Sequence, residues 1–356
     1  MNKFAQYLII IVIMAGFLIS CSINYNVSKK TDPFEERSFE PYLNDEWIGS
    51  AISYGCYRKG QAPGSKGPSA EEILEDLNII KQHWNLIRVY NADDDTDRIL
   101  QVIQKHDLPI KVMLGVWLVN ETDNLEMKHN NETNVLRSIE MANSYPEIVA
   151  AINAGNETQV FWSWHKMDRA DLIRYIRQVR SNTSVPVTTA DDYNFWNKPE
   201  SKDVADEVDF IVTHIYPLWN GKTLENAISW LDETYQEVKR VHPQKQIVLG
   251  EIGWATMYNA EKKGPDDQGT LIKGDVSLEA QGKFLMELDK WVMSKKATTF
   301  LFEAFDEPWK GGGDATGPRE IEKNWGVYYE DRTAKESFEY FIKHNLNLKT
   351  NSLRRK

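Results

Sequence analysis

The sequence predicts an α/β fold, a (β/α)8 TIM barrel that forms a single catalytic domain, and three observations lead to this prediction. Eight short apolar runs, most of them continuous, have the composition of parallel strands covered on both faces. Helical patterns separate the runs, and eight such units can close into a barrel. The chain of 356 residues has room for a barrel of about 250 residues with loop insertions. The runs begin near Ile48, Leu86, Ile110, Ile148, Val185, Val208, Gln246 and Thr298.

The helical patterns are clearest in four places. Ser69 and Glu72 have the spacing of a capping box at the start of the first helix. Apolar residues then recur on one helical face there, and again over 172–179, 224–238 and 278–292. An open, doubly wound sheet is the alternative architecture. Its nucleotide-binding version is disfavoured because no G-x-G-x-x-G motif follows the first run.

The first twenty residues resemble the signal peptide of a bacterial lipoprotein. Lys3 supplies a positive charge, and the mostly aliphatic run 7–19 is too short to span a bilayer comfortably. The run ends in Leu-Ile-Ser-Cys, which resembles a lipobox and implies lipidation at Cys21. A plain signal peptide or an uncleaved anchor is the alternative. We therefore expect a lipid anchor in the bacterial cell envelope, on the periplasmic or cell-surface side of the outer membrane.

The remaining chain divides by composition. We expect a signal peptide over 1–20, a polar tether over 21–45, the barrel domain over 46–346 and a basic tail over 347–356. The net charge of -11 excludes a nucleic-acid-binding footprint. Cys56 is the only other cysteine, so neither an internal disulfide nor a Cys-based metal site is expected. A monomer is the expected state.

Two glutamates end apolar runs in phrases that contain glycine. Glu157 closes Ala-Gly-Asn-Glu, and Glu251 lies in Leu-Gly-Glu-Ile-Gly-Trp. At roughly 30 residues per βα unit, their separation places Glu157 after the fourth strand and Glu251 after the seventh. Two carboxylates delivered by different strands to one rim are the equipment that cleaves a glycosidic bond. Structural ion pairing of the two glutamates is the alternative interpretation.

These phrases, and others along residues 48–330, resemble glycoside hydrolase family 17, the β-1,3-glucanase family of retaining barrel glycosidases. The further matching phrases are Ser53-Tyr54-Gly55, Arg58-x-Gly60-Gln61, Arg88-x-Tyr90, Thr188-Thr189-Ala190-Asp191, Phe305-Asp306-Glu307-x-x-Lys310 and Glu322-x-x-Trp325-Gly326. The resemblance implies that Glu157 is the general acid/base, that Glu251 is the nucleophile and that Asn156 binds the sugar 2-hydroxyl. It also implies a β-1,3-glucan substrate of the laminarin type and double displacement, with endo action expected.

Other side chains are expected to support this pair. Arg88 is the cation expected beside Glu251, where a positive charge favours the ionised carboxylate. Tyr54, Tyr90 and Tyr216 are expected to orient Glu251 or to bind sugar hydroxyls. The resemblance implies a supporting acid–base network, although a purely structural ion-pair network is an equal alternative. Its members would be Glu307, Lys310 and Glu322.

Many tryptophans follow predicted strands, where they would lie on the catalytic rim. Pyranose rings expose apolar faces that pack on indole, so two or three of these residues are expected to line sugar subsites, with Trp117 and Trp254 as the chosen candidates. The tryptophans after strands are Trp117, Trp162, Trp164, Trp196, Trp219, Trp254 and Trp309.

The histidines are scattered and have no metal-ligand spacing, so neither a metal nor a cofactor is expected. For His214, at the end of the sixth run, a hydrogen-bonded supporting role is favoured over catalysis. A β-1,3-glucanosyltransferase, a non-catalytic surface glycan-binding lipoprotein and a related barrel glycosidase of other linkage preference remain the alternative functions.

Overall fold

Eight parallel strands close into a barrel in the computed structural model, which describes residues 35–262 and 268–345. Each strand pairs with the next along the chain, and the last pairs with the first, as the sequence predicts. The carboxyl ends of all eight strands therefore meet at one rim. The strands are β1 Ser50–Ser53, β2 Leu86–Arg88, β3 Lys111–Val116, β4 Val149–Asn156, β5 Val187–Asp192, β6 Ile211–His214, β7 Ile247–Ile252 and β8 Thr299–Leu301.

Helices surround the barrel and bury their apolar faces against it. The Ser69 side chain and the Glu72 side chain form the predicted capping box at the start of α1. The long helices are α1 Ala70–Ile80, α2 Asp94–Lys105, α3 Leu125–Ser144, α4 Arg169–Asn182, α5 Leu224–Val241, α6 Leu278–Lys295 and α7 Glu336–His344. Shorter α-helical segments are Tyr193–Trp196, Lys202–Ala205 and Gln268–Leu271, and 3-10 turns are Pro199–Ser201, Lys310–Ala315 and Ile321–Lys323.

The barrel domain begins earlier than the predicted boundary at residue 46. Phe39 is 2% exposed, belongs to the apolar cluster inside the barrel and stacks on Phe210 with ring centroids 4.7 Å apart. The Arg37 guanidinium donates to the carbonyls of Val185 and Arg180, each at 2.7 Å. The predicted tether over 21–45 is therefore wrong for its last ten residues, which form one compact unit with the barrel.

A short antiparallel pair, Tyr42–Leu43 with Glu46–Trp47, connects this N-terminal segment to β1. The predicted signal peptide 1–20, the lipidation site Cys21 and the basic tail 347–356 lie outside the described residues. Within the described part of the chain, no helix combines the length and apolarity needed to cross a bilayer.

Candidate active site

Glu251 lies within β7, one residue before its end, and its carboxylate is held from both sides. Nη1 of Arg88 donates to Oε1 at 2.9 Å, and the Tyr216 hydroxyl donates to Oε2 at 2.8 Å. Arg88 is fully buried at the end of β2, so its charge is poorly screened by solvent. Arg88, the cation expected beside Glu251, therefore lies there, and the Tyr216 hydroxyl orients the carboxylate.

The charge on Glu251 is stabilised despite burial. Burial opposes ionisation, but His214, Arg88 and the Tyr216 hydrogen bond outweigh it and hold the pKa of Glu251 below its usual value. A nucleophilic carboxylate must be ionised, and this environment supplies that state.

The glycine before Glu251 is required by packing. A Cβ at Gly250 would lie 2.3 Å from Cγ1 of Val212 and 3.1 Å from the His214 ring. The Gly250 carbonyl also accepts from Nη1 of Arg88 at 2.8 Å. The Gly-Glu phrase therefore allows β7 to approach β6 closely and to fix the Arg88 side chain.

Glu157 follows β4 directly, on a backbone that turns sharply. Gly155 and Glu157 have φ values of +91° and +50°, and the Glu157 N–H donates to the Ala190 carbonyl of β5 at 2.9 Å. Positive φ is strained for a non-glycine residue and is enriched at functional sites. The Glu157 side chain is 27% exposed and that of Glu251 is 9% exposed, so Glu157 is the carboxylate open to solvent.

One buried imidazole lies between the two carboxylates. Nδ1 of His214 is 3.0 Å from Oε1 of Glu157, and Nε2 is 3.6 Å from Oε1 of Glu251. Nη1 of Arg88 lies 3.3 Å from Nε2. Both ring nitrogens therefore face polar groups of the site, Nδ1 towards Glu157 and Nε2 towards Arg88 and Glu251. His214 has the supporting position favoured from the sequence.

Asn156 connects the two halves of the site. Nη2 of Arg88 donates to its side-chain oxygen at 2.6 Å, which leaves the amide nitrogen as the group that can meet a sugar hydroxyl. The Asn156 carbonyl lies 2.7 Å from Nε2 of His165. Arg88 therefore orients both the Glu251 carboxylate and the Asn156 amide.

A cleft of about 440 Å³ opens at the same rim. Asn156 and Glu251 line it, together with aromatic side chains. Among the predicted site residues, the structure also brings Tyr54, Tyr90, Trp117, Glu307 and Lys310 to this cleft. The cleft walls therefore combine flat apolar rings with carboxylate and amide groups, which suits a carbohydrate ligand.

Lys310 binds two buried glutamates at the β8 side of the cleft. Its ammonium lies 2.6 Å from both Glu303 and Glu307, and Nε1 of Trp309 donates to Glu307 at 2.9 Å. Burial raises the pKa of Glu303 well above its usual value. Burial acts on Glu307 too, but Lys310 outweighs it and lowers the pKa of Glu307. The structure thus joins Glu307 and Lys310, two of the three predicted members, and adds Glu303, a residue that the sequence reasoning missed.

Glu322 is the third predicted acid of this network. Burial raises its pKa to about 7, with Lys310 opposing and with Glu320, Glu157 and Glu251 adding to the rise. No direct hydrogen bond joins Glu322 to Lys310 among the contacts of the described residues. Its relation to Glu157 and Glu251 is therefore electrostatic and acts through charge at a distance.

Two predicted residues depart from their expected roles: the Tyr54 hydroxyl does not reach Glu251, and Trp254 does not line the cleft. The Tyr54 hydroxyl donates to Asp76 at 3.0 Å, so only the ring of Tyr54 contributes to the cleft wall. Trp254 is 1% exposed and its indole nitrogen donates to the Asp275 carbonyl at 2.8 Å, which places it in the layer between barrel and helices. Trp309 lines the cleft instead.

The sequence does carry a signal for Glu303. The eighth apolar run, Thr-Thr-Phe-Leu-Phe-Glu-Ala-Phe, is interrupted by this carboxylate. A buried acid inside an apolar run requires a partner, and Lys310, seven residues later, supplies it.

Within residues 35–262 and 268–345, no group of three His, Cys, Asp or Glu side chains could hold a metal ion.

An α/β barrel with two carboxylates from β4 and β7 at the carboxyl rim, beside an aromatic cleft, has the fold and the site of a glycoside hydrolase. The chain matches the model of the BtgE/BtgC glycoside hydrolase domain over residues 51–326. It therefore belongs to that family, within the glycoside hydrolase family 17 group of β-1,3-glucanases that its sequence resembles.

Two fungal proteins and one further btgC protein illustrate the sequence similarity. The chain is 28% identical over 284 residues to the putative glucan endo-1,3-beta-glucosidase btgC of Aspergillus niger, covering 75% of this chain and 40% of the relative. It is 26% identical to the glucan 1,3-beta-glucosidase of Arthroderma benhamiae, covering 81% and 92% of the two chains. The chain thus spans about two fifths of the btgC proteins of Aspergillus niger and Aspergillus clavatus.

Two solved structures share the fold. An endo-laminarinase from Formosa Hel1_33_131 has a TM-score of 0.71 and 23% identity, with 83% of this chain and 88% of that chain covered. A glycoside hydrolase family 17 β-1,3-glucanosyltransferase from Rhizomucor miehei has a TM-score of 0.62 and 24% identity, with 81% and 96% covered.

Proposed function

We propose that this protein is a retaining glycosidase that cleaves β-1,3-glucan of the laminarin type within the chain. The observation that carries the proposal is the environment of Glu251, a buried carboxylate kept ionised by Arg88 and Tyr216. Glu157 shares the imidazole of His214 with it, which keeps both carboxylates within reach of one sugar residue.

In the first step, the ionised Glu251 attacks the anomeric carbon and forms a covalent glycosyl-enzyme. Glu157 gives its proton to the leaving oxygen as the glycosidic bond breaks. The greater exposure of Glu157 suits this role, because the leaving group and the incoming water must both reach it. The Asn156 amide is placed to bind the 2-hydroxyl of the same sugar, an interaction that strengthens at the transition state.

In the second step, Glu157 takes a proton from water, and the resulting hydroxide displaces Glu251 from the anomeric carbon. Two inversions give net retention of the β configuration. Glu251 is uncharged while it carries the sugar, so Arg88 then retains contacts to the Gly250 carbonyl and to Asn156. These contacts keep the guanidinium in place until the carboxylate is released.

The β-1,3 linkage is supported by family membership and by the names of the relatives, which include endo-1,3-glucosidases and an endo-laminarinase. The test is digestion of laminarin, mixed-linkage β-glucan, cellulose and pustulan, with products sized over time. We expect laminarin to give oligosaccharides of intermediate length early in the reaction. Intact laminarin after long incubation would refute the proposed function, and products longer than a defined starting oligosaccharide would indicate glucanosyl transfer instead.

We also propose that the chain is held at the cell envelope through lipidated Cys21. The support is the sequence Leu-Ile-Ser-Cys after the apolar run 7–19. A protein carrying two or three acyl chains is anchored stably. In a membrane fractionation, Cys21→Ala is expected to move active protein to the soluble fraction. Equal membrane retention of this variant would rule out lipid anchoring.

A further inference from the structure

An unusual aromatic surface lies on the loop that connects Glu157 to α4. Phe161, Trp162 and Trp164 are 84%, 47% and 80% exposed, and these three residues are called the β4-loop aromatic surface below. Burying a large aromatic side chain stabilises a protein, so leaving several of them exposed to water is unfavourable. Exposed aromatic residues grouped on one short loop in this way mark a binding surface.

The loop beneath this surface is fixed to the barrel. The backbone N–H of Gln159 donates to Asp191 at 2.8 Å, and the N–H of Met167 donates to the Thr158 carbonyl at 3.0 Å. Val160 and Met167 are buried. The aromatic rings are therefore presented by an ordered backbone, which lowers the entropy cost of binding a ligand there.

A row of rings connects the surface with the cleft. Trp117, which lines the cleft, packs on His165 with ring centroids 4.6 Å apart. His165 contacts Trp164 at 4.9 Å, and its Nε2 lies 2.7 Å from the Asn156 carbonyl. Phe161 and Trp162 pack edge to face on each other at 4.9 Å. Through Trp164, the surface is thus connected with the site that contains the proposed catalytic pair.

We propose that the β4-loop aromatic surface binds glucosyl units of a long β-glucan chain on the leaving-group side of the scissile bond. The inference rests on the proposed function. Glu157 donates to the leaving oxygen, so the leaving part of the chain lies beside Glu157 and the loop that follows it. Glu251 lines the cleft, whose walls include residues that follow β1, β2 and β8, and this cleft accommodates the other part of the chain.

The chemistry of the surface fits this occupant. A glucan presents a repeating series of flat apolar C–H faces, and successive indole rings can each cover one of them. Trp has only two side-chain torsions, so little rotamer entropy is lost on contact. Neither a hydrogen-bonding pocket nor a charged cluster is needed for such a ligand, because the catalytic pair already supplies the specificity.

The test compares long and short substrates in the double variant Trp162→Ala/Trp164→Ala. We expect its kcat/KM for laminarin to fall at least about tenfold more than its kcat/KM for laminaritriose, because covering an indole face is worth at least that factor. Tyr340→Ala is the matched control, since Tyr340 is a half-exposed aromatic residue on α7. It should change neither value.

Binding is measured separately in the Glu251→Ala background, where the double variant should lose affinity for laminarin in gel electrophoresis. Equal losses for both substrates, or none, would overturn the inference while leaving the proposed function intact. If the wild-type protein cleaves no β-glucan, the proposed function itself fails.

Other occupants of the surface give different results. A concentration-dependent dimer abolished by the double variant, with laminarin kinetics unchanged, would assign the surface to a second copy of the chain. Loss of binding of the Cys21→Ala protein to phosphatidylglycerol vesicles, again with laminarin kinetics unchanged, would assign it to a membrane. Either result would overturn the inference.

Discussion

The hydroxyl of Tyr216 can be removed without changing the shape of the site. In Tyr216→Phe the ring keeps its packing against Phe302 and Trp325, with centroids 5.9 and 5.2 Å away. The variant loses only the 2.8 Å hydrogen bond to Oε2 of Glu251. A hydrogen bond to a charged group is worth about 1.5–3 kcal/mol, which corresponds to a rise of about 1–2 units in the pKa of Glu251.

The expected consequence is a shift in the pH dependence of kcat/KM. Glu251 must be ionised to attack, and its pKa in the intact site is held below the usual value. Activity is therefore lost as the pH falls through that pKa. Raising the pKa moves the acidic limb of the profile to higher pH by the same about 1–2 units. Laminarin hydrolysis measured across the acidic range gives the shift directly.

Tyr175→Phe is the matched control for this experiment. The Tyr175 hydroxyl also donates to a buried carboxylate, that of Glu121 at 2.6 Å, but this pair joins α4 to the loop after β3. Its loss should reduce the free energy of unfolding and leave the acidic limb unchanged. An acidic limb in the same place for Tyr216→Phe and the wild type would refute the assigned role of the Tyr216 hydroxyl.

Two further predictions concern Glu157, the proposed proton donor, and Phe39, which packs inside the barrel. Glu157→Gln should slow laminarin hydrolysis by about 100- to 10,000-fold, yet cleave an aryl glucoside whose leaving group needs no proton much better than laminarin. Equal losses on both substrates, measured by steady-state kinetics, would contradict the acid role. Phe39→Ala should reduce the free energy of unfolding by about 3–5 kcal/mol in denaturant titration, because its buried stacking on Phe210 is lost. A loss below about 1 kcal/mol would instead support the tether that the sequence suggested.

The barrel and the placement of Glu157 and Glu251 at one rim were accessible from sequence because both depend on local patterns. Each strand is a short apolar run, and Glu157 and Glu251 close two of these runs. Since parallel strands place their carboxyl ends at one rim, position in the run is enough to bring the two acids together. Charge predicts a cation beside Glu251, and Arg88 was the candidate because it lies in the Arg-x-Tyr phrase at the end of the second run; the structure places it 2.9 Å from Glu251.

Side-chain direction at strand ends was not accessible in the same way. Tyr54 and Tyr216 both follow strands, but one hydroxyl turns to Asp76 in the helix layer and the other to Glu251. The direction of the Trp254 side chain was equally inaccessible, since its indole packs on Phe284 beneath the rim. These directions depend on contacts between distant segments. The predicted tether was wrong at Phe39 for the same reason, because its partner Phe210 is far along the chain.

The identity of the nucleophile is tested most directly by azide rescue of Glu251→Ala with an activated β-glucosyl donor. The cavity left by the missing carboxylate admits azide on the face that Glu251 occupied, so a single displacement should give the α-configured glycosyl azide, readable by NMR. A β-configured azide, or turnover at the wild-type rate without azide, would contradict the central assignment.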